Sequence, residues 1–166
     1  MQTRHVSIVL ASVLAIGVSL SAAAAEKMTG IHKEFQRVSE AVANVPGQPG
    51  RTLRQVSIVW KSTSSNPIFD QAWVSAVAQI DALGEDSKEQ GYGTSHYPSG
   101  DVNYFTWEGA IKHTVKEGGD YDRVAQGKFT WLGGTGKFKT IKGSGMYTCK
   151  FTSKGGQCDW EGEPKM

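Results

Sequence analysis

Residues 131–148 contain the residue types that bind phosphate in many proteins: closely spaced glycines, lysines and hydroxyl side chains. A P-loop requires Gly, four residues and then Gly-Lys-Ser/Thr, so that backbone N–H groups surround the phosphates and a hydroxyl reaches the metal ion. Here Phe138 follows Gly136-Lys137, and Trp131 stands where the first glycine is required. The segment therefore lacks the P-loop pattern.

A dinucleotide-binding fingerprint fails in the same segment. Lys139 occupies the position of the third glycine after Gly134 and Gly136, and no helix-forming stretch follows on which a pyrophosphate could rest. The flanking residues alternate as in strands, and glycine supplies positive φ and close backbone approach. We interpret Gly133, Gly134 and Gly136 as a structural turn between two β-strands.

Other catalytic constellations are weak. His32, His96 and His113 have no H-x-x-x-H spacing, and no sequence neighbour completes a zinc-ligand set. Gly143-Ser144-Gly145 is not the G-x-S-x-G nucleophile elbow and is better explained by strand flexibility. The sequence therefore predicts no catalytic residue, no metal site and no cofactor.

The glycine-rich segment resembles a turn found in a known group of β-barrels. Its Gly-Gly-Thr-Gly-x-Phe…Gly pattern is similar to that near the C-terminal end of the allene oxide cyclase-like and dirigent-like barrels, especially exported bacterial members without an assigned role. Val45-Pro46-Gly47, Trp107-Glu108-Gly109 and Glu161-Gly162-Glu163 agree in order. The resemblance implies a closed antiparallel barrel of about eight strands around a cavity. No motif here matches the cyclase catalytic residues, so the resemblance extends to the fold alone.

Two segments carry an apolar spacing that also fits helices. The apolar residues of 31–45 and of 73–83 recur every three or four positions. We nevertheless predict strands, because eight strands close without an open edge; an α+β domain with two short helices is the alternative. The runs 55–61 and 101–113 alternate as half-buried strands, although both faces of the second carry aromatic residues.

The N-terminal 25 residues have the features of a secretory signal peptide. Arg4 is followed by an apolar stretch over 6–20 and by Ala23-Ala24-Ala25 before Glu26. We expect export to the periplasm or the medium, no membrane anchor after cleavage, and a single barrel domain over 26–166. The 18 basic residues nearly balance the 16 acidic ones, which gives no electrostatic argument for a nucleic-acid partner.

Cys149 and Cys158 are expected to form a disulfide. If 147–151 and 157–160 pair as a hairpin, these two cysteines face each other directly. Opposed positions bring the Cβ atoms within bridging distance, and an oxidising compartment favours the bond.

Three functional hypotheses follow from this barrel. The first is binding of a small, largely apolar molecule in the interior, because aromatic residues are plentiful and no reactive group is evident. The second is a cofactor-free cyclase or isomerase, with Glu108 or Asp81 as its carboxylate; the third is a protein that interacts through its outer surface. The residues predicted to contact a ligand are Trp60, Asp81, His96, Tyr104 and Glu108.

Overall fold

The fold was obtained as a computed structural model that describes residues 26–115 and 121–166. It contains eight β-strands and two short 3₁₀ turns, at Pro67–Phe69 and Gly136–Phe138. The predicted signal peptide lies outside the described residues, as does Gly118-Gly119-Asp120, whose residue types predict a turn. No helix long and apolar enough to cross a membrane occurs in 26–115 or 121–166. The strands are β1 Met28–Asn44, β2 Arg51–Ser64, β3 Ala72–Leu83, β4 Asp86–His96, β5 Val102–Val115, β6 Tyr121–Gly134, β7 Lys142–Thr152 and β8 Gly155–Lys165.

The strands form one closed antiparallel barrel in sequence order, which confirms the predicted all-β fold. Each strand pairs with the next, and β8 returns to β1 through Met28–His32. The two segments with helix-like spacing are strands β1 and β3, so the α+β alternative is wrong. β3 pairs with both β2 and β4, and β1 pairs with β2 over most of its length and with β8 over Met28–His32. Local helical propensity does not outweigh these ladder hydrogen bonds.

The stagger of the strands makes the barrel wide enough to enclose space. A row of directly opposed residues that starts at Val42 on β1 crosses all the other strands and returns to β1 at Gly30, twelve residues away. At a fixed number of strands, a larger stagger means more strand tilt and a larger diameter. The wall is thus set further from the axis than in a barrel filled by its own side chains.

One end of the barrel is closed by an aromatic plug from three connections. Phe69 comes from the β2–β3 connection, Tyr97 from β4–β5, and Phe138 and Ile141 from β6–β7. The Phe138 ring lies 4.5 Å from the Tyr97 ring and 5.2 Å from the Phe69 ring. Phe138 and Ile141 have no exposed surface. Within the described residues, these side chains fill this end, and the cavity extends toward the opposite end.

The β6–β7 connection is where the glycine-rich segment lies. Gly133 and Gly134 end β6, and Gly136 begins the short 3₁₀ turn with φ +48°. A Cβ on Gly136 would overlap the Asp101 carboxylate. Lys137 is exposed, and β7 follows instead of a helix. The segment folds as a turn that places Phe138 in the plug.

Cys149 and Cys158 form a disulfide between β7 and β8, as predicted. They are directly opposed in the β7–β8 ladder, and both are buried. Cys158 also pairs with His32, the last β1 residue that pairs with β8. The disulfide therefore links the two strands at the level where the seam between β1 and β8 ends.

Candidate functional site

The barrel interior contains a cavity of about 370 Å³. It begins above the plug and extends to the opposite end, where the β1–β2 and β7–β8 hairpins surround its mouth. Its volume lies within the range of small-molecule sites, roughly 300 to 1,000 Å³. Aromatic rings are the largest side chains of the lining, and those of the wall are contributed by Phe35, Trp60, Phe105, Trp107, Phe129, Trp131, Tyr147, Phe151 and Trp160.

Glycines on neighbouring strands make room for these rings. Gly91 is directly opposite Trp107, and Gly93 is directly opposite Phe105. A Cβ at either glycine would overlap the opposing ring, so the ring lies flat over the bare backbone. The same arrangement recurs at Gly30–Trp160, Gly127–Tyr147, Gly145–Phe129 and Gly156–Phe151. Large rings therefore line the wall while the centre of the barrel stays open.

A carboxyl group lies in the middle of this apolar wall. Glu89 on β4 lines the cavity, and its Oε1 accepts a hydrogen bond from the Tyr147 hydroxyl at 2.7 Å. Tyr147 is on β7, and its side chain passes over Gly109 and Gly127 to reach Glu89. A Cβ at either glycine would overlap the Tyr147 hydroxyl. These residues lie in one row of the barrel, from Glu89 through the two glycines to Tyr147. Two glycines thus allow a hydrogen bond between strands that are not neighbours.

The surroundings of Glu89 favour its neutral form. Burial raises the pKa of the Glu89 carboxyl, and this effect exceeds the opposing effects of hydrogen bonds from Tyr147 and Trp107 and of the nearby Arg123 charge. The Tyr147 pKa is raised by burial and by the neighbouring carboxylate. The Arg123 guanidinium lies 4.2 Å from the centre of the Phe151 ring. The site therefore combines an acid, a hydroxyl and a cation within an aromatic lining.

Three ring nitrogens deeper in the wall are enclosed without a hydrogen-bond partner among the described residues. They are Nε1 of Trp60, Nε1 of Trp160 and Nδ1 of His32. The His32 ring lies between the two indoles, 5.6 Å from Trp60 and 5.8 Å from Trp160. Burial lowers the pKa of His32 to about 3, so the imidazole is neutral at physiological pH.

The mouth of the cavity carries charged side chains. Arg37 and Glu40 form an ion pair, and Arg54 Nη1 lies 3.5 Å from the second Glu40 oxygen. Bulges between Lys33 and Gln36 and between Arg37 and Ser39 bend β1 at this level. The mouth is therefore polar, whereas the wall below it is largely apolar.

The structure separates the residues that were predicted to contact a ligand. Trp60 lines the cavity, but Asp81, His96, Tyr104 and Glu108 do not. Strand alternation accounts for this division. The same pattern that turns Phe105, Trp107 and Ile111 of β5 inward turns Glu108 outward.

The four outer residues have partners of their own. Asp81 binds Arg51 through two hydrogen bonds, one of them 2.7 Å from Arg51 Nε to Asp81 Oδ1, and this contact lowers the Asp81 pKa. Glu108 Oε1 lies 2.8 Å from Lys128 Nζ. His96 Nε2 lies 3.3 Å from the Ser75 hydroxyl, and Tyr104 stacks on the exposed Tyr92. The structure therefore does not bring these four residues together at one site.

Glu89, Tyr147 and Arg123 were not anticipated from the sequence. The inward positions of β4 are Ser87, Glu89, Gly91, Gly93 and Ser95, and this series has no apolar alternation to indicate a buried face. The available signal was the register: glycines of β4 stand opposite aromatic residues of β5. That pairing would have placed Glu89 on the inner face.

A scan against protein-family models found no match, and a search of curated proteins found none either. The resemblance to allene oxide cyclase-like and dirigent-like barrels is therefore still a prediction from the residues quoted above. Within 26–115 and 121–166, no group of three or more histidine, cysteine, aspartate or glutamate side chains is placed to hold a metal ion.

Proposed function

We propose that this protein is an exported barrel that binds a small, largely apolar molecule in its interior. The observation that carries the proposal is the aromatic cavity of about 370 Å³ inside a closed barrel. Water forms few hydrogen bonds with aromatic rings, so its displacement from such a surface by an apolar ligand is favourable. Because the plug fills one end, the polar mouth at the opposite end would be the route of entry for such a ligand.

Export is part of the same proposal. The N-terminal sequence has the pattern of a secretory signal, and the single pair of cysteines forms a disulfide. Disulfides persist mainly in oxidising compartments. The protein would therefore act in the periplasm or outside the cell.

Tryptophan fluorescence provides a direct test, because Trp60, Trp107, Trp131 and Trp160 line the cavity. We expect saturable quenching on titration with apolar ring compounds, and co-purifying small molecules in native mass spectrometry of protein from its own host. Ile80→Trp would obstruct the cavity from its wall. Gln79→Trp, on the exposed face of the same strand, is the matched control.

The expected result is loss of binding in Ile80→Trp and retention in Gln79→Trp, with both variants melting cooperatively. Equal binding by the two variants would place the ligand outside the barrel. Absence of saturable binding by any apolar probe, with no co-purifying molecule, would contradict the proposal.

Glu89 also favours a second candidate, a cofactor-free cyclase or isomerase. A half-buried carboxyl whose pKa is raised by burial, and which lines the cavity, is a candidate for proton transfer to a bound substrate. Asp81 and Glu108, the two carboxylates that the sequence suggested for this role, do not line the cavity. For any substrate that is turned over, Glu89→Gln should abolish the reaction and Glu108→Gln should not.

A further inference from the structure

The Glu89 carboxyl is held in a fixed orientation by residues that are far apart in sequence. Its Oε1 accepts a hydrogen bond from the Tyr147 hydroxyl on β7. Tyr147 reaches it only because Gly109 and Gly127 leave the path open. A side chain positioned in this way presents its remaining oxygen lone pairs in a constant direction, which suits recognition of one group on a ligand.

The carboxyl has acceptor capacity beyond the one hydrogen bond from Tyr147. An ionised carboxylate offers about four lone-pair sites, and a neutral carboxyl still offers acceptors. A ligand that fills the cavity without donating a hydrogen bond to Glu89 would displace water from this carboxyl and form no hydrogen bond in its place. The lost hydrogen bond would weaken binding. A ligand with a suitably placed donor avoids that cost.

We propose that Glu89 is the polar anchor of the ligand, and that the ligand is a ring-sized apolar molecule bearing a hydrogen-bond donor, either a hydroxyl or an amine. This inference rests on the proposed function, since it assigns the chemistry of the molecule bound in the same cavity. Gly109, Gly127 and Tyr147 act as positioning residues, because they set the carboxyl and need not touch the ligand. The aromatic lining holds the apolar body, and the donor fixes its orientation.

Four probes of nearly equal size separate the alternatives: naphthalene, 2-naphthol, 2-naphthylamine and 2-naphthoate. Dissociation constants are measured by calorimetry at pH 7. We expect 2-naphthol and 2-naphthylamine to bind roughly tenfold or more tightly than naphthalene. The preference should disappear in Glu89→Leu, while naphthalene affinity is retained or increased, and it should persist in Glu108→Leu on the outer face.

Each other outcome has a defined meaning. Equal affinities for naphthalene and the two donor-bearing probes would overturn the anchor role of Glu89, as would a donor preference that survives in Glu89→Leu. Tightest binding of 2-naphthoate would also overturn it and would favour Arg123 as the anchor. Failure of all four probes to bind would contradict the proposed function itself. Should Glu89→Leu fail to fold, Glu89→Met, an unbranched apolar side chain of similar length, takes its place in the same comparison.

Discussion

At the scale of single residues, His32 illustrates how burial in the wall determines a chemical property. Its imidazole stacks on the Trp160 indole and is tilted against that of Trp60, with Nδ1 enclosed and without a partner among the described residues. Protonation there would place a charge in an apolar environment, and the pKa is accordingly lowered to about 3. In the unfolded chain the His32 imidazole takes up a proton near pH 6.5, whereas in the folded chain it stays neutral at that pH.

This difference predicts a loss of stability in acid. As pH falls from about 6.5 toward 3, His32 should lower the free energy of unfolding by up to about 1.4 kcal/mol per pH unit, because only the unfolded state takes up the proton. Urea unfolding at a series of pH values measures the slope. His32→Gln should remove this contribution, and His96→Gln, which changes an exposed histidine, should not. An unchanged slope in His32→Gln would contradict the burial argument.

A second residue-scale prediction concerns the paired glycine and ring at Gly91 and Trp107. A Cβ on Gly91 overlaps the indole, so Gly91→Ala should destabilise the protein by roughly 1 to 3 kcal/mol through overpacking. Shortening the partner removes the overlap. In a double-mutant cycle, Gly91→Ala should therefore cost much less in the Trp107→Leu background. If the two substitutions changed the free energy of unfolding additively, the packing of the Trp107 ring would not depend on the missing Cβ of Gly91.

At the scale of strands and turns, the β6–β7 connection is determined by glycine geometry. Gly136 has a positive φ, and a Cβ there would also meet the Asp101 carboxylate. We expect Gly136→Val to cost roughly 1 to 3 kcal/mol, by strain of the backbone. Lys137→Ala should change stability by about 0.5 kcal/mol or less, because the lysine is exposed. Thermal melts with and without ATP and magnesium provide the measurement, and nucleotide stabilisation that requires Lys137 would overturn the turn interpretation.

The strands differ in how far their sequences could predict them. In β3, Val74, Ala76 and Ala78 point inward, but the exposed Trp73 and Val77 are apolar too, so the apolar residues also fit the spacing of a helix. In β4, the inward positions are small or polar because rings from β5 occupy the space above them. Hydrophobic periodicity in a sequence reflects the apolar side chains that the strand itself buries. A strand whose inner face is covered by side chains of a neighbouring strand therefore shows little periodicity. The barrel could be predicted from the resemblance of the glycine turn and from the closure of eight strands, whereas no sequence pattern marked the Glu89 site.

At the scale of the whole molecule, closure of the barrel is incomplete along its height. β1 pairs with β8 only over Met28–His32, and within the described residues the upper part, Gln36–Asn44, pairs with β2 alone. The bulge at Lys33–Gln36, where Glu34 has φ +56°, separates the two parts. This upper edge borders the mouth of the cavity. The part of the wall nearest the ligand's entrance therefore has the fewest ladder hydrogen bonds.

Hydrogen exchange should divide β1 at that bulge. Amides of Gln36–Asn44 that point away from β2 have no ladder acceptor within the described residues, so we expect them to exchange through local opening at low free energy. Amides of residues 30–32, where β1 pairs with both β2 and β8, are the matched control and should approach the protection of β5. The experiment is native-state exchange followed residue by residue at two protein concentrations. Uniform protection along β1 at both concentrations would contradict an open upper edge, whereas protection that rises with concentration would mean that a second copy covers it. Fast exchange confined to Gln36–Asn44 would identify the seam as the part of the barrel that opens most readily, next to the mouth through which a ligand must pass.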